Sequence, residues 1–402
     1  MNSKKIDTVI ETITGRSTSF FTNDLKGKHA GLITQTKHKS ALVIGGAGTI
    51  GSNFIKALLH YPIARLYVID LNENGLAELI RDIRSNPDYE QLPTIKTYPI
   101  SFGSRLFEKL FLNEGPFEIV ANFAAHKHVR SAKDSYAIEA MFDNNFVEAS
   151  RLLEILKIQP PEHFFCVSTD KATNPVSIMG ATKKLMEDVI FAYQDHYKVA
   201  TARFANVAFS NGSLLESFIN RYYKNQPIVC PTDINRFFVS PTEAGQICLL
   251  ACLLGQSGDI FIPRFSPDID LVPFKKTLDA FLETMGIEPV LCKSEEEARQ
   301  KCTQPLAGKH HVFLFETDTS GEKPYEEFYG ENDVVDWETF EALGAIKTNE
   351  TRKRVDVHYL LNDASQLFHK KTTTKASIIT FLERHIPEFN YIDKGKSLDQ
   401  KM

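Results

Sequence analysis

From Ser40 onward the apolar positions fall into short continuous runs, separated by longer stretches in which they recur every three or four residues. The runs lie near residues 41–45, 65–70, 95–100, 117–123, 162–168 and 199–204. Short runs of this kind are what strands buried on both faces require, and the stretches between them carry the helical period. Strand and helix in strict alternation predict an α/β chain built on a doubly wound parallel sheet. After Phe204 the order breaks down. Turn signals at Ser210-Asn211-Gly212, Gln226-Pro227 and Cys230-Pro231 precede a helix expected from Pro241, which suggests a smaller lobe. The expected divisions are an extension over 1–38, the sheet domain over 39–205, the lobe over 206–340 and a helical tail over 341–402. The extension is polar except for Phe20-Phe21 and is expected to dock on the body. Lys293–Arg299 reads as a solvated helix face.

The first strand feeds a glycine turn, Gly45-Gly46-Ala47-Gly48-Thr49-Ile50-Gly51, and an amphipathic helix follows with Phe54, Ile55, Leu58 and Leu59 on its apolar side. Glycines at this spacing make a tight turn and let a pyrophosphate approach the helix amino terminus. The motif alone is weak. Its context is what counts: a strand before it, a helix after it, and Asp70 ending the next strand about twenty residues on. The sheet is therefore expected to be of Rossmann type. Asp70 would accept hydrogen bonds from ribose hydroxyls and repel a 2′-phosphate, which favours NAD over NADP.

The bulk numbers narrow the partners. A chain of 402 residues with 43% hydrophobic and 24% charged residues is an ordinary globular composition. A net charge of −5, from 46 basic and 51 acidic residues, gives no electrostatic case for nucleic acid. No window approaches eighteen apolar residues and the amino terminus lacks a long apolar core, so no membrane insertion and a cytoplasmic location are expected. The six cysteines are scattered and read as buried free thiols, with no metal expected.

The run His163–Val167 reads as a buried strand, and Asn174-Pro175 breaks the chain before a helix expected from Ile178. Ser168-Thr169-Asp170-Lys171 then stands at a strand's carboxyl end, where open α/β sheets bind ligands. Met179 and Lys183, four apart, share one face of the following helix. An acid and an ammonium side by side next to a lysine at a cofactor edge suggest proton-transfer chemistry.

With these pieces the chain resembles the extended short-chain dehydrogenase/reductase superfamily. Within it, the chain is similar to the bacterial nucleotide-sugar 4,6-dehydratases of polysaccharide biosynthesis that act on UDP-N-acetylglucosamine. The resemblance covers residues from about 40 to 265. It is carried by Gly45–Gly51, Asn122–Val129, Ser168–Pro175, Met179–Lys183, Ala202–Val207 and Arg236–Ser240.

The resemblance implies that Gly45, Gly48, Thr49, Ile50, Gly51, Asp70, Ala124, Ala125 and Lys183 contact NAD. It implies that the smaller lobe is substrate-binding and that Lys127, His128, Asn206, Ser213 and Arg236 lie on the UDP-sugar side. The superfamily's usual tyrosine is replaced by Met179, whose thioether cannot titrate. The implied compensation is the Thr169-Asp170-Lys171 run: Lys171 as the base at carbon 5, with a lowered pKa and cationic neighbours, and Asp170 as the acid at the departing 6-hydroxyl. Thr169 would hold a sugar hydroxyl and Lys183 the nicotinamide ribose. Many relatives hold adenine with an aspartate after the third strand; here Tyr98–Gly103 has none. A homo-oligomer is also implied. The competing expectations are a UDP-hexose 4-epimerase and a dinucleotide-sensing protein without turnover.

Overall fold

The computed structural model describes residues 1–89, 91–128, 132–303, 306–318, 323–348, 354–369 and 373–392. Val129, the last residue of the Asn122–Val129 motif, and the end of the expected tail from 393 lie outside the described residues. The described strands are, in chain order, β1 (Ser40–Ile44), β2 (Arg65–Ile69), β3 (Thr94–Tyr98), β4 (Ile119–Asn122), β5 (His163–Val167), β6 (Val199–Ala202), β7 (Asn206–Val207), β8 (Ile228–Pro231), β9 (Asn235–Val239), β10 (Asp259–Pro263), β11 (Leu271–Pro273), β12 (Glu288–Cys292), β13 (Lys309–Phe315), β14 (Val335–Asp336) and β15 (Leu343–Lys347).

The six runs read from hydrophobic pattern are β1 to β6, and they pair in parallel in the order β3-β2-β1-β4-β5-β6. β1, β4, β5 and β6 are buried at every position, which is why their sequences run apolar without alternation. Connections leave β1 in opposite directions on its two sides, so a crevice opens between the carboxyl ends of β1 and β4. Both candidate loops, after β1 and after β4, end there.

The sheet does not stop at β6. β10 adds in parallel, and β15 and β14 extend it antiparallel to give nine strands. The stretch from 206 thus returns one strand to the main sheet, and the stretch from 341, expected to be helical, begins with a strand before the helices Val357–Phe368 and Lys375–His385. The difference has a physical cause. β15 reads Leu343-Gly344-Ala345-Ile346, a run too short and too poor in β-branched residues to signal a strand, and its place is set by pairing with the fully buried β10.

Two three-stranded sheets, β11-β9-β7 and β12-β13-β8, form the smaller layer. The amino-terminal helix Ser3–Thr14 buries Val9, Ile10 and Ile13 against Leu215, Phe238, Val272 and Ala280. Arg16 ties the extension to the Pro241–Leu254 helix by donating to Glu243 from Nε (3.1 Å) and Nη2 (3.0 Å). Asp24 accepts from the backbone N–H of Glu341 (2.6 Å) and Ala342 (2.9 Å). The extension is therefore packed on the body through both apolar and ionic contacts. All six cysteines are buried and free, and Cys248 and Cys252 lie on the Pro241–Leu254 helix, whose surroundings are apolar. Among the described residues no helix is long and apolar enough to cross a membrane.

Candidate active site

The glycine turn separates protein constraint from ligand constraint. Gly45 has φ +74°, and a Cβ there would come within 2.5 Å of Ala124 N; one at Gly51 would come within 2.3 Å of Gly45 O. The chain itself demands glycine at both. At Gly48 a Cβ would meet only Gly45 O, at 3.4 Å, an ordinary contact. Gly48 is the N-cap of the Thr49–Leu58 helix and offers no side chain to its first amides, those of Thr49 and Ile50 among them. That is the arrangement a pyrophosphate needs. Asp70 closes the crevice, its carboxylate accepting from Ala47 N and Asn72 N, each at 2.9 Å. Ala124 and Ala125 are half-buried on the β4 side, where Ala124 N donates to Asn122 Oδ1 at 3.0 Å. The crevice thus has the shape and donors for a dinucleotide.

At the end of β5, Thr169 Oγ1 donates to Asp170 Oδ1 at 2.8 Å, and the Lys171 backbone N–H donates to the same oxygen at 2.9 Å. Lys171 Nζ donates to it as well, at 3.2 Å. Asp170 is buried, Thr169 and Lys171 half-buried. The turn is fixed from behind: a Cβ on Gly180 would lie 2.4 Å from Lys171 O, so the first turn of the Ile178–Ala192 helix presses on it. Met179 is buried in that turn. Lys183 is buried one turn later, with Nζ donating to Val167 O at 2.9 Å and lying 3.5 Å from Met186 Sδ; burial pushes its pKa down.

The geometry alters one expectation. Lys171 was expected among cationic neighbours, yet Nζ lies between two carboxylates, Asp170 Oδ1 at 3.2 Å and Glu326 Oε1 at 3.7 Å. The reason is tertiary. The segment carrying Glu326 crosses the end of β5, and no local pattern announces it.

On the opposite side of the crevice, Asn206 on β7 is half-buried. Ser213 caps the Leu214–Tyr223 helix, accepting from Glu216 N at 3.2 Å. Thr49 Oγ1 accepts from Asn211 N at 3.1 Å, and the exposed His128 ring lies over Gly212, so the loop bearing Lys127 and His128, the glycine turn and the 210–213 turn meet. Arg236 is not at the surface. It is 3% exposed, with Nη1 donating to the carbonyls of Asn235 (2.9 Å), Lys323 (3.0 Å) and Pro324 (3.2 Å), and Nη2 3.8 Å from Glu326.

Three groups escape a reading from sequence. Glu326 has been described. Glu187 and Arg203 form a buried pair behind the turn, Arg203 Nη2 donating to Glu187 Oε2 at 2.6 Å, and Ser168 Oγ donates to Glu187 Oε1 at 2.6 Å. Asn145, in a π-turn at Asp143–Val147, accepts from His126 N (2.8 Å) and donates to His126 O (2.9 Å), fixing the loop after β4. The available signal was a polar residue, Asn145, at a buried position of a helical period otherwise filled by Ile138, Phe142, Phe146 and Ala149.

Residues 41–348 match the family described as polysaccharide biosynthesis protein. Among relatives, a protein of Methanocaldococcus jannaschii described as an uncharacterized membrane protein is 30% identical over 313 residues, 76% of this chain and 85% of that one. The capsular polysaccharide biosynthesis protein CapD of Staphylococcus aureus is 26% identical over 353 residues, 84% of this chain; the chain spans about half of it, 53%. A UDP-glucose 4-epimerase of Rickettsia bellii is 27% identical over 256 residues, 61% of this chain and 72% of that one. Among solved structures, Pen from Bacillus thuringiensis superposes with a TM-score of 0.63 at 19% identity, over 82% of this chain and 98% of Pen, which is a likeness of fold. With most of its length inside the family match, the chain belongs to the family described as polysaccharide biosynthesis protein.

Proposed function

We propose that the chain is a nucleotide-sugar 4,6-dehydratase that converts UDP-N-acetylglucosamine to a UDP-4-keto-6-deoxy-N-acetylhexosamine for surface polysaccharide, with NAD in the crevice between β1 and β4. One observation carries the reading: Asp170 and Lys171 share a hydrogen bond at the carboxyl end of β5, against the start of the helix that bears Met179 in its first turn and Lys183 one turn later. An oxidation followed by reduction at one carbon has no use for an acid and a base in contact. An elimination uses both.

NAD held in the crevice would supply the hydride acceptor at carbon 4 and the hydride donor at carbon 6, with the 4-hydroxyl proton passing to water and the proton regained at carbon 5 coming from water. The chain's own residues do the rest. The open face of Gly48 and the helix amides behind it hold the pyrophosphate, Asp70 takes the adenosine ribose, and Lys183 the nicotinamide ribose. Thr169 orients a sugar hydroxyl. Lys171 removes the proton at carbon 5, made acidic by the neighbouring ketone. That proton reaches Asp170 along the 3.2 Å contact and leaves with the 6-hydroxyl as water. Asn206, Ser213, Lys127 and His128 line the nucleotide and diphosphate side.

The test is direct. Purified protein incubated with UDP-N-acetylglucosamine should yield a product lighter by one water in mass spectrometry. The second reading, a 4-epimerase, draws on the Rickettsia relative; it predicts unchanged mass with inversion at carbon 4. Unchanged substrate would overturn both.

A further inference from the structure

Glu187 and Arg203 have no part in the scheme above, and both are buried, 0% and 4% exposed respectively. Taking two charges out of water costs about as much as their attraction returns, so stability alone is a poor reason for the pair. Its hydrogen bonds show what it holds. Ser168 Oγ donates to Glu187 Oε1 at 2.6 Å, and Arg203 Nε donates to the same oxygen at 2.8 Å. Arg203 Nη2 donates to Glu187 Oε2 at 2.6 Å, and Nη1 donates to Thr173 Oγ1 at 3.0 Å and to Phe328 O at 3.1 Å.

Ser168 and Thr173 bracket the turn that carries Thr169, Asp170 and Lys171. It is a single 3-10 turn, closed by Ala172 N to Thr169 O at 3.1 Å and Thr173 N to Asp170 O at 3.0 Å, and bonds of this kind are poorly aligned. Just beyond it Asn174 stands at φ +44°, in the left-handed region, so the chain leaves the turn at a corner. Phe328 lies two residues past Glu326, on the segment that crosses the turn. One planar guanidinium therefore reaches the front of the turn through Glu187, its back at Thr173, and the segment laid over it. A lysine has the charge but not the fork. Lys323 Nζ, donating to Thr173 O at 3.4 Å, adds a longer tie between the same turn and segment.

We propose that Arg203, seated on Glu187, is a positioning residue: it holds the catalytic turn at both ends and registers the 323–328 segment against it, and so sets where Asp170 and Lys171 stand relative to the crevice and to Glu326. For its effect on turnover the inference rests on the dehydratase reading; the coupling of turn and segment does not. Arg203 acts through the turn and touches neither substrate nor cofactor in this scheme. Displacing an acid and base by about 1 Å costs about a hundredfold in rate, whereas the glycine turn and Asp70, which hold the dinucleotide, belong to other elements and stay in place.

Arg203→Lys keeps a charge opposite Glu187 and removes the bonds to Thr173 and Phe328. In hydrogen exchange followed by peptide mass spectrometry it should speed exchange at least about tenfold in peptides covering 168–174 and 323–328 together, and leave β1 and β2 at the wild-type rate. A pair that serves only the global fold predicts a rise shared by β1 and β2; that result, or a rise in one of the two segments or in neither, overturns the proposal. Turnover gives a second reading. Arg203→Lys should lower kcat at least about tenfold, with KM for UDP-N-acetylglucosamine and Kd for NAD within about twofold of wild type. Thr173→Val removes one bond of the same fork and should lower kcat too, Thr173→Ser keeps the hydroxyl and should recover it, and Arg203→Lys with Thr173→Val should lose no more than Arg203→Lys alone. Losses that multiply, or a Thr173→Ser as slow as Thr173→Val, also overturn it. Should Arg203→Lys not fold, the two Thr173 variants leave the ion pair intact and give both the kcat reading and the exchange reading at 168–174. A wild type that never dehydrates UDP-N-acetylglucosamine sinks the function reading alone, since the exchange result stands without turnover.

Discussion

Gly48→Ala tests whether the crevice is a nucleotide site without disturbing the protein that forms it. The added Cβ meets only Gly45 O, at 3.4 Å, and Gly48 has an ordinary φ of −72°, so neither packing nor backbone opposes the change. What is lost is the preference for glycine over alanine at the cap position, about 0.5 kcal/mol. The same methyl stands on the side from which a pyrophosphate reaches the helix amides, and it should weaken NAD binding at least about tenfold, or about 1.4 kcal/mol. Gly48→Val should abolish binding. Gly51→Ala is the control of opposite character: its Cβ would lie 2.3 Å from Gly45 O, a backbone atom that cannot turn aside, and the fold should lose about 1–3 kcal/mol. Titration calorimetry with NAD and denaturant unfolding read the two effects separately. Gly48→Ala binding NAD as tightly as wild type would refute the assignment of that open face to the cofactor, and equal affinity for NADP would refute the role of Asp70.

Other substitutions address the chemistry and the fold. Lys171→Ala and Asp170→Ala should each slow dehydration by at least about a hundredfold while UDP-N-acetylglucosamine binding persists; near-normal turnover in either removes that residue from the mechanism. Met179→Leu conserves volume at a buried position and should keep much of the activity, so a loss as large as that of Lys171→Ala would mean that the sulfur matters. His163, buried at the start of β5 with one ring nitrogen 2.8 Å from Gln35 Oε1, has its pKa pushed down to about 3, by burial first and then by Lys198 and Lys39. The unfolded chain, with a histidine pKa near 6.5, takes up a proton that the folded chain refuses, so stability is whole above about pH 6.5 and declines as pH falls toward 3. The loss should reach roughly 2–3 kcal/mol near pH 4.5 in denaturant unfolding, and His163→Gln should remove that part of the pH dependence; a variant that keeps it would show that another group is responsible.

The sequence by itself determined what local forces determine. Six strands are legible, four of them (β1, β4, β5 and β6) because burial on both faces demands unbroken apolar runs, and the glycine turn is legible because close backbone approach admits nothing else at Gly45 and Gly51. The placement of Thr169, Asp170 and Lys171 at a strand end followed from the same pattern, since neighbours in sequence stay neighbours in space. Tertiary structure alone decided the rest. β15 joins the main sheet because β10 offers an unpaired edge, not because Leu343–Lys347 has a strand's composition. Arg236 is expected by resemblance on the UDP-sugar side, but Nη1 donates to carbonyls of the Lys323–Glu326 segment, which lies over it. The second carboxylate beside Lys171, after that of its chain neighbour Asp170, comes from Glu326 on that same crossing segment. Charge interactions depend on distance and on exclusion of water, and neither is written in the order of residues; both are fixed when a segment from the far end of the chain is laid across the catalytic turn.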